Sequence, residues 1–273
     1  MTGDLRDRAL VLECEIDRVR MTEAVARCRV AVEQRGFLQH MALNAAKIVS
    51  LRADSRLQEA VAQSELVTAD GQSVVWASRL LRDPLPERVA GIDLMEELFA
   101  LAEHEGYRVY LLGATQDTLA RAMERLLERH PKLSIAGSHH GYFSDGQSAA
   151  LCERIRAAAP DVLFVAMSSP RKEYWLAEHG RALGVPVIMG VGGALDVTAG
   201  DVRRAPGLVQ AMGLEWAYRL LQEPGRLARR YFVTNSRFIL LLGAELLRRG
   251  PGGAARRGPP GKPPSAPRHN APP

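Results

Sequence analysis

Between about residue 60 and residue 200, short runs of consecutive apolar residues alternate with amphipathic helical patterns. The runs are Leu66–Ala69, Val109–Leu112, Val162–Met167 and Val185–Val191. A strand with one face in water alternates polar and apolar residues, so unbroken Val, Ile and Leu call for cover on both faces. Helical stretches Leu119–Arg129, Ser148–Ala158 and Arg171–Leu183 lie between the runs. In the first of them Leu119, Met123, Leu126 and Leu127 fall at i, i+4, i+7 and i+8, one apolar stripe. This alternation predicts an α/β fold, a Rossmann-like parallel sheet with helices on both faces. A chain of 273 residues, 47% hydrophobic, has the material for such a core.

In sheets of this kind ligands bind beyond the carboxyl ends of the strands. Val67-Thr68-Ala69 runs into Asp70-Gly71, Leu111-Leu112 into Gly113, and Val187-Ile188-Met189 into Gly190-Val191-Gly192-Gly193. The fourth run, Val165-Ala166-Met167, enters Ser168-Ser169-Pro170, which reads as a helix start with Pro170 at the first helical position. Turns between strands and helices use glycine for purely conformational reasons. Four such ends together nonetheless predict a ligand-binding rim suited to close approach of a phosphate.

Charge divides the chain. Residues 1–201 carry a net −5, residues 202–249 carry +6 from nine arginines and three glutamates, and residues 250–273 add +4 with no acid. A basic quarter on an acidic body suits phosphate, as nucleic acid or as anionic lipid headgroups. No helix-turn-helix or aromatic RNA platform accompanies the charge, which argues against nucleic acid. The tail from Gly250 holds eight of the sixteen prolines and five glycines and is expected to be disordered. The expected division is therefore an α/β core over 1–200, a basic helical appendage over 201–249, and the tail over 250–273. Cys14, Cys28 and Cys152 form no ligand cluster and read as reduced thiols. The charged start, MTGDLRDRALVLECEI, lacks the apolar stretch of a signal peptide, which predicts a cytoplasmic protein.

No GxGxxG follows a strand with an acid about twenty residues on, and no GxxxxGK[ST] loop occurs. An Asp-x-Asp pair, the usual means of holding a divalent metal on a sugar donor's pyrophosphate, is also missing. A site without metal must neutralise a leaving diphosphate with arginines or helix N-termini.

The segment GVGGALDVTAGDVRRAPGLVQAMGLEWAYRLLQEPGRLARRYF, residues 190–232, resembles the C-terminal signature of the WecG/TagA/CpsF glycosyltransferases. TADGQSVVW at 68–76, ERVAGIDL at 87–94 and PDVLFVAMSSPRKE at 160–173 agree with it, and the resemblance spans roughly residues 10–240. It implies a metal-independent, inverting enzyme without cofactor. Such an enzyme moves a sugar from a UDP-sugar donor to a polyprenyl-diphosphate-linked sugar acceptor in cell-surface polysaccharide synthesis. Residues carried over by the resemblance are Asp70 as the base that deprotonates the acceptor, Asn44 lining the same pocket, and Arg88 on the diphosphate. Asp196 matches a nucleotide-side aspartate, and Arg219, Arg226 and Arg229 match arginines that grip the diphosphate. Gly113, Gly192 and Gly193 belong to the rim predicted above.

Two positions depart from the family pattern. Ala42 stands where a threonine is usual, and Lys172, in Pro170-Arg171-Lys172-Glu173, replaces a pocket glutamine. Losing a hydroxyl and gaining a cation points to a different donor sugar. The competing reading is a non-catalytic UDP-sugar-binding or assembly protein, and a nicotinamide-dependent oxidoreductase lacks its fingerprint.

In GRLARRYFVTNSRFILLLGAELLRR, Arg226, Arg230 and Arg237 fall near one line of a helix while Leu227, Phe238, Leu241 and Leu242 supply apolar surface. The longest apolar-plus-glycine run, Phe238–Ala244, is far short of the roughly 20 residues that span a bilayer. The segment is therefore expected to lie on the inner face of the cell membrane rather than cross it. The alternative is a core helix with a solvated arginine face. A homo-oligomer is compatible with either. Because no Asp-x-Asp pair is present, saturating EDTA should leave sugar transfer within about twofold; a collapse rescued by Mg²⁺ or Mn²⁺ would refute the charge argument.

Overall fold

The computed structural model describes residues 7–211, 213, 215–222 and 224–249. An antiparallel hairpin, β1 (Arg8–Val11) and β2 (Cys14–Asp17), precedes α1 (Met21–Glu33) and β3 (Leu38–Leu43). Helices α2 (Ala45–Leu51) and α3 (Ser55–Ala62) lead to β4 (Leu66–Ala69), and α4 (Gln72–Leu80) and α5 (Gly91–Glu105) lead to β5 (Arg108–Gly113). Next come α6 (Gln116–Arg129), β6 (Ser134–His139), α7 (Ser148–Ala158), β7 (Val162–Ala166), α8 (Arg171–His179) and β8 (Val187–Gly190). The described chain ends with α9 (Ala194–Thr198), α10 (Gly207–Ala211), α11 (Glu215–Gln222) and α12 (Pro224–Arg249). The Pro/Gly-rich tail lies outside the described residues.

Strands β3 to β8 form a six-stranded sheet in the order β4-β3-β8-β7-β5-β6, with every neighbouring pair parallel. All four apolar runs are strands of this sheet, as their composition predicts. One face buries Leu38, Leu66, Leu111, Phe164, Val187 and Met189 against α1, α5 and α6, with the Phe99 and Phe164 rings 4.5 Å apart. The other face is covered in two halves. Met41, Leu43, Val67 and Ala69 pack with Ile48, Leu57 and Val74, while Leu112, Leu163, Val165 and Ile188 pack with Leu151, Ile155 and Trp175.

Several local readings change. Leu119 and Leu126 of α6 are buried, but Leu127 is exposed, and Thr118 and Ala122 take the inner positions. The buried stripe is centred a little to the other side of Leu119. The helical pattern Arg171–Leu183 divides into α8 and a 3₁₀ turn, Gly180–Leu183. Pro170 occupies the cap position just before α8, not its first helical position, and no side chain caps that helix.

The N-terminal hairpin protects the β4 edge of the sheet. Its two-residue turn places Leu12 at φ 50° and Glu13 at φ 67°, the left-handed geometry of a tight hairpin. Glycine is the usual occupant there; here burial of Leu12 in the core offsets the strain. Asp17 accepts from Val67 N at 2.8 Å and pairs with Arg27 at 2.9 Å and Arg8 at 3.3 Å. An edge donor that would otherwise invite another strand is thereby satisfied.

Helix α12 is partly a core helix. Phe238 is buried with the hairpin and α2 side chains, Leu241 and Leu242 pack against the same cluster, and Arg249 donates to Leu81 O at 2.9 Å. Of the apolar residues expected to face a membrane, Phe238, Leu241 and Leu242 thus face the protein, while the Leu227 side chain lies outside the described residues. The most exposed large apolar side chains of α12 are others: Phe232, Ile239, Leu240 and Leu247.

Strand β3 carries a buried histidine. His40 Nε2 meets Thr68 Oγ1 at 2.9 Å, and that hydroxyl donates onward to Val89 O at 3.1 Å. With the hydroxyl proton committed, His40 donates from Nε2, leaving Nδ1 bare; Nδ1 is buried and unpartnered. Burial, with Lys47 and Lys172 nearby, pushes the imidazole down to about 3. Between pH 6.5 and about 3 the unfolded chain takes a proton there that the folded chain refuses, so stability falls as pH falls. His40→Gln keeps a donor for Thr68 and removes the titration. Urea unfolding across this window should be less pH-dependent in the variant; equal slopes would show that His40 carries no such linkage.

Candidate active site

Strands β3 and β4 end level, with Leu43 opposite Ala69, and Asp70 N donates to Leu43 O at 2.8 Å. The next residue on each strand is polar, so Asn44 and Asp70 emerge side by side. Asn44 caps α2: its Oδ1 accepts from Lys47 N at 3.0 Å, which turns Nδ2 toward Asp70 Oδ2 at 3.5 Å. The other Asp70 oxygen, Oδ1, accepts from Gly91 N, the first residue of α5, at 2.9 Å. A carboxylate held by one weak and one good donor has a defined direction and keeps acceptor capacity for a substrate hydroxyl.

The loop that supplies Gly91 also supplies Arg88. Val89 N donates to Ala69 O at 3.0 Å, so the loop runs along the end of β4. Arg88 donates to Glu215 of α11 at 3.2 Å and to Asp93 of α5 at 3.4 Å. Arg204 pairs with the same two acids. Position 42 stands beside this loop: a Cβ on Gly91 would lie 3.6 Å from Ala42 Cβ and 3.9 Å from Asp70 Oδ1. A threonine hydroxyl at 42 would therefore lie next to the Asp70 anchor, and alanine leaves that space apolar.

Lys172 lies beneath the rim rather than on it. It is 5% exposed, and its stem passes Gly190 so closely that a Cβ there would stand 2.7 Å from Lys172 Cε. Its ammonium donates to Glu173 Oε1 at 2.7 Å, and Lys47 Nζ reaches the same oxygen at 2.8 Å. The second oxygen, Oε2, is buried without a partner. Burial, and then Lys47, lower Lys172 to about 8 despite its carboxylate partner. Burial works to raise the Glu173 carboxyl, but the two ammoniums outweigh it and hold the group at about 2. The opposite pulls agree on one state: a charged triad with two cations and one anion, under the ends of β3 and β8.

Of the remaining sequence-predicted residues, Gly113, Gly192, Gly193 and Asp196 lie at the carboxyl ends of the neighbouring strands. Gly113 ends β5 at φ 131°, where a Cβ would come within 2.3 Å of Ala166 O, so packing on β7 alone demands glycine. Gly192, at φ 54°, and Gly193, the cap of α9, follow β8, and Asp196 is half-buried in the first turn of α9. Arg229 is exposed on α12. Arg219 and Arg226 lie on α11 and α12, with side chains outside the described residues. The structure thus groups Asn44, Asp70 and the Arg88 loop, places the β8 glycines on the neighbouring strand, and puts Lys172 below. Sequence reasoning did not single out Lys47, Glu173, Asp93, Arg204 or Glu215. Of these, Glu215 left a trace, as the first acid in the basic segment after Asp201. Among the described residues no group of three His, Cys, Asp or Glu could hold a metal ion.

Over 171 residues the chain is 39% identical to the N-acetylglucosaminyldiphosphoundecaprenol N-acetyl-beta-D-mannosaminyltransferase of Staphylococcus aureus (strain MW2), covering 63% of this chain and 66% of that one, just under two thirds. The model of the glycosyl transferase WecG/TagA/CpsF family matches residues 9–251, which include all but the first residue of the hairpin, the whole sheet and α12. With the match spanning nearly all of the described residues, the chain belongs to the WecG/TagA/CpsF family of glycosyl transferases.

Proposed function

We propose that the protein transfers a sugar from a UDP-sugar to a hydroxyl of an N-acetylglucosamine carried on undecaprenyl diphosphate, with inversion and without a metal. The acceptor is taken from the relative's name and the donor class from the family resemblance. The observation that carries the reading is Asp70, anchored by Gly91 N and facing Asn44 at the mouth of the sheet, beside the Arg88 loop. In this scheme the acceptor hydroxyl gives its proton to Asp70 as its oxygen attacks the anomeric carbon. The bond from that carbon to UDP breaks, and its electron pair leaves on the diphosphate, where Arg88 offsets the charge. Asn44 orients Asp70 and presents its amide to the sugars. Ala42 and the buried Lys172–Glu173–Lys47 triad alter the floor beneath them relative to the family pattern, which favours a donor sugar other than the family's usual one.

Asp70→Asn is nearly isosteric and should fold while turnover falls by roughly 10²-fold or more, the scale of losing a general base. The assay is mass spectrometry of the lipid product with a panel of UDP-sugars. A folded Asp70→Asn protein with near-normal turnover would remove Asp70 from the role. Wild-type protein that binds UDP-sugars but never releases UDP would favour the non-catalytic reading.

The acceptor's lipid places the reaction at a membrane surface, and the proposed location is peripheral, on the cytoplasmic face. Among the described residues no helix is long and apolar enough to cross a membrane. Helix α12 instead exposes Phe232, Ile239, Leu240 and Leu247 beside Arg229 and Arg237. Each basic residue near an anionic surface contributes about 1 kcal/mol. Sedimentation with anionic vesicles should fall as salt rises, since exposed charges are screened beyond about 8–10 Å. Truncating before Pro224 would also remove Phe238 from the core, so the discriminating variant is Ile239→Ser/Leu240→Ser/Leu247→Ser, all on the outer face. It should keep its fold by circular dichroism and lose vesicle binding; undiminished sedimentation would show that this face is not the contact.

A further inference from the structure

Arg88 and Arg204 come from distant segments and converge on the same two carboxylates, Asp93 and Glu215. Arg88 donates to Glu215 at 3.2 Å and to Asp93 at 3.4 Å. Charge-assisted N–H···O bonds usually measure about 2.7–2.9 Å, so both contacts of Arg88 are slack. Arg204 donates to Asp93 through one terminal nitrogen, while its Nε lies 3.8 Å from Glu215 Oε1. That Nε is buried and has no hydrogen-bond partner. Glu215 therefore covers the donor without accepting from it. Guanidinium forks match phosphate oxygens in pairs, and two of them converge at the mouth that holds Asp70.

The carboxylates that occupy these forks are unequally placed. Asp93 is fixed in the first turn of α5. Glu215 is the first residue of α11, whose other end is tied separately: Gln222 Nε2 donates to Arg203 O at 3.0 Å, and Arg203 N donates to Gln222 Oε1 at 3.3 Å. Helix α11 is thus held at its far end by a neutral amide pair and at its near end by Glu215 on Arg88. Trp216, the next residue, is 44% exposed and meets the Tyr231 ring of α12 edge-on at 6.2 Å.

We propose that Arg204 binds a diphosphate together with Arg88, and that Glu215 is the carboxylate this ligand displaces, releasing the near end of α11 as it enters. The inference rests on the reading of diphosphate substrates given above. Two sources carry that chemistry, the nucleotide of the donor and the lipid diphosphate of the acceptor.

The test is titration of the full-length protein with UDP, with geranyl diphosphate and with uridine, read by calorimetry and by tryptophan fluorescence, with Trp216→Phe as the control for the optical signal. Glu215→Gln keeps the shape and removes the competing charge. It should tighten at least one diphosphate by about two- to fivefold, the scale of one partly exposed ion pair, and leave uridine unchanged. Arg204→Lys keeps the charge, loses the Nε donor, and should weaken the same ligand roughly tenfold, the loss of one charge-assisted hydrogen bond. Tightening of UDP alone assigns the forks to the donor, and tightening of geranyl diphosphate alone assigns them to the acceptor. Unchanged or weaker affinity for both in a Glu215→Gln protein of normal melting temperature overturns the displacement. Should that variant melt early, Arg204→Lys decides: unchanged affinity overturns the assignment of Arg204. A wild-type protein that binds neither diphosphate removes the substrate reading as well, whereas failure confined to the variants leaves it standing.

Discussion

Parallel pairing of β3 with β4 sets the register on which the site depends. Because Leu43 stands opposite Ala69 and Asp70 N closes the ladder on Leu43 O, the two strands stop at one level. A slip of one residue would turn Asp70 to the opposite face and separate it from Asn44. The same ladder end recruits the next segment, since Ala69 O takes Val89 N and Asp70 takes Gly91 N. Asn44, Asp70 and the Arg88 loop are thus positioned by main-chain hydrogen bonds, the least adjustable part of the fold, and the start of α5 by the Asp70 carboxylate.

Below this mouth the protein buries charge. Lys47 and Lys172 share one oxygen of Glu173, and His40 stays neutral on the far side of β3. Such groups cost more to bury than apolar residues of similar size, so they add little net stability. What they supply is orientation. Lys47 sits in the turn that Asn44 caps, and Lys172 and Glu173 open α8, so the triad ties both helices under the site at a defined spacing.

The appendage reading divides along α12. Its inner side, with Phe238, Leu241 and Leu242, completes the core over the hairpin and α2, and its outer side keeps an apolar face and arginines in solvent. Sequence periodicity marked an amphipathic helix but not which apolar face turned inward, because both sides carry Leu, Ile or Phe. Shape at the docking surface made the choice.

The sheet class, four of its strands, the helices α6, α7 and α8 and the placement of Asp70 at a strand end were legible in the sequence, because strands covered on both faces must be continuously apolar, whereas α4 and α5 between β4 and β5 were not read. Strand β3 was not, since Gln39 and His40 interrupt its run, and their burial is made tolerable only by partners 25 and 28 residues away. Strand β6 was not either, because an edge strand such as Ser134–His139 needs no apolar run. The motif residues Asn44, Asp70 and Arg88 could be named from their segments. Their grouping, the burial of Lys172, and the meeting of Arg88 with Arg204 across Glu215 were decided only by tertiary structure. Those contacts join residues up to 127 positions apart, and short-range periodicity carries no information about pairings at that distance.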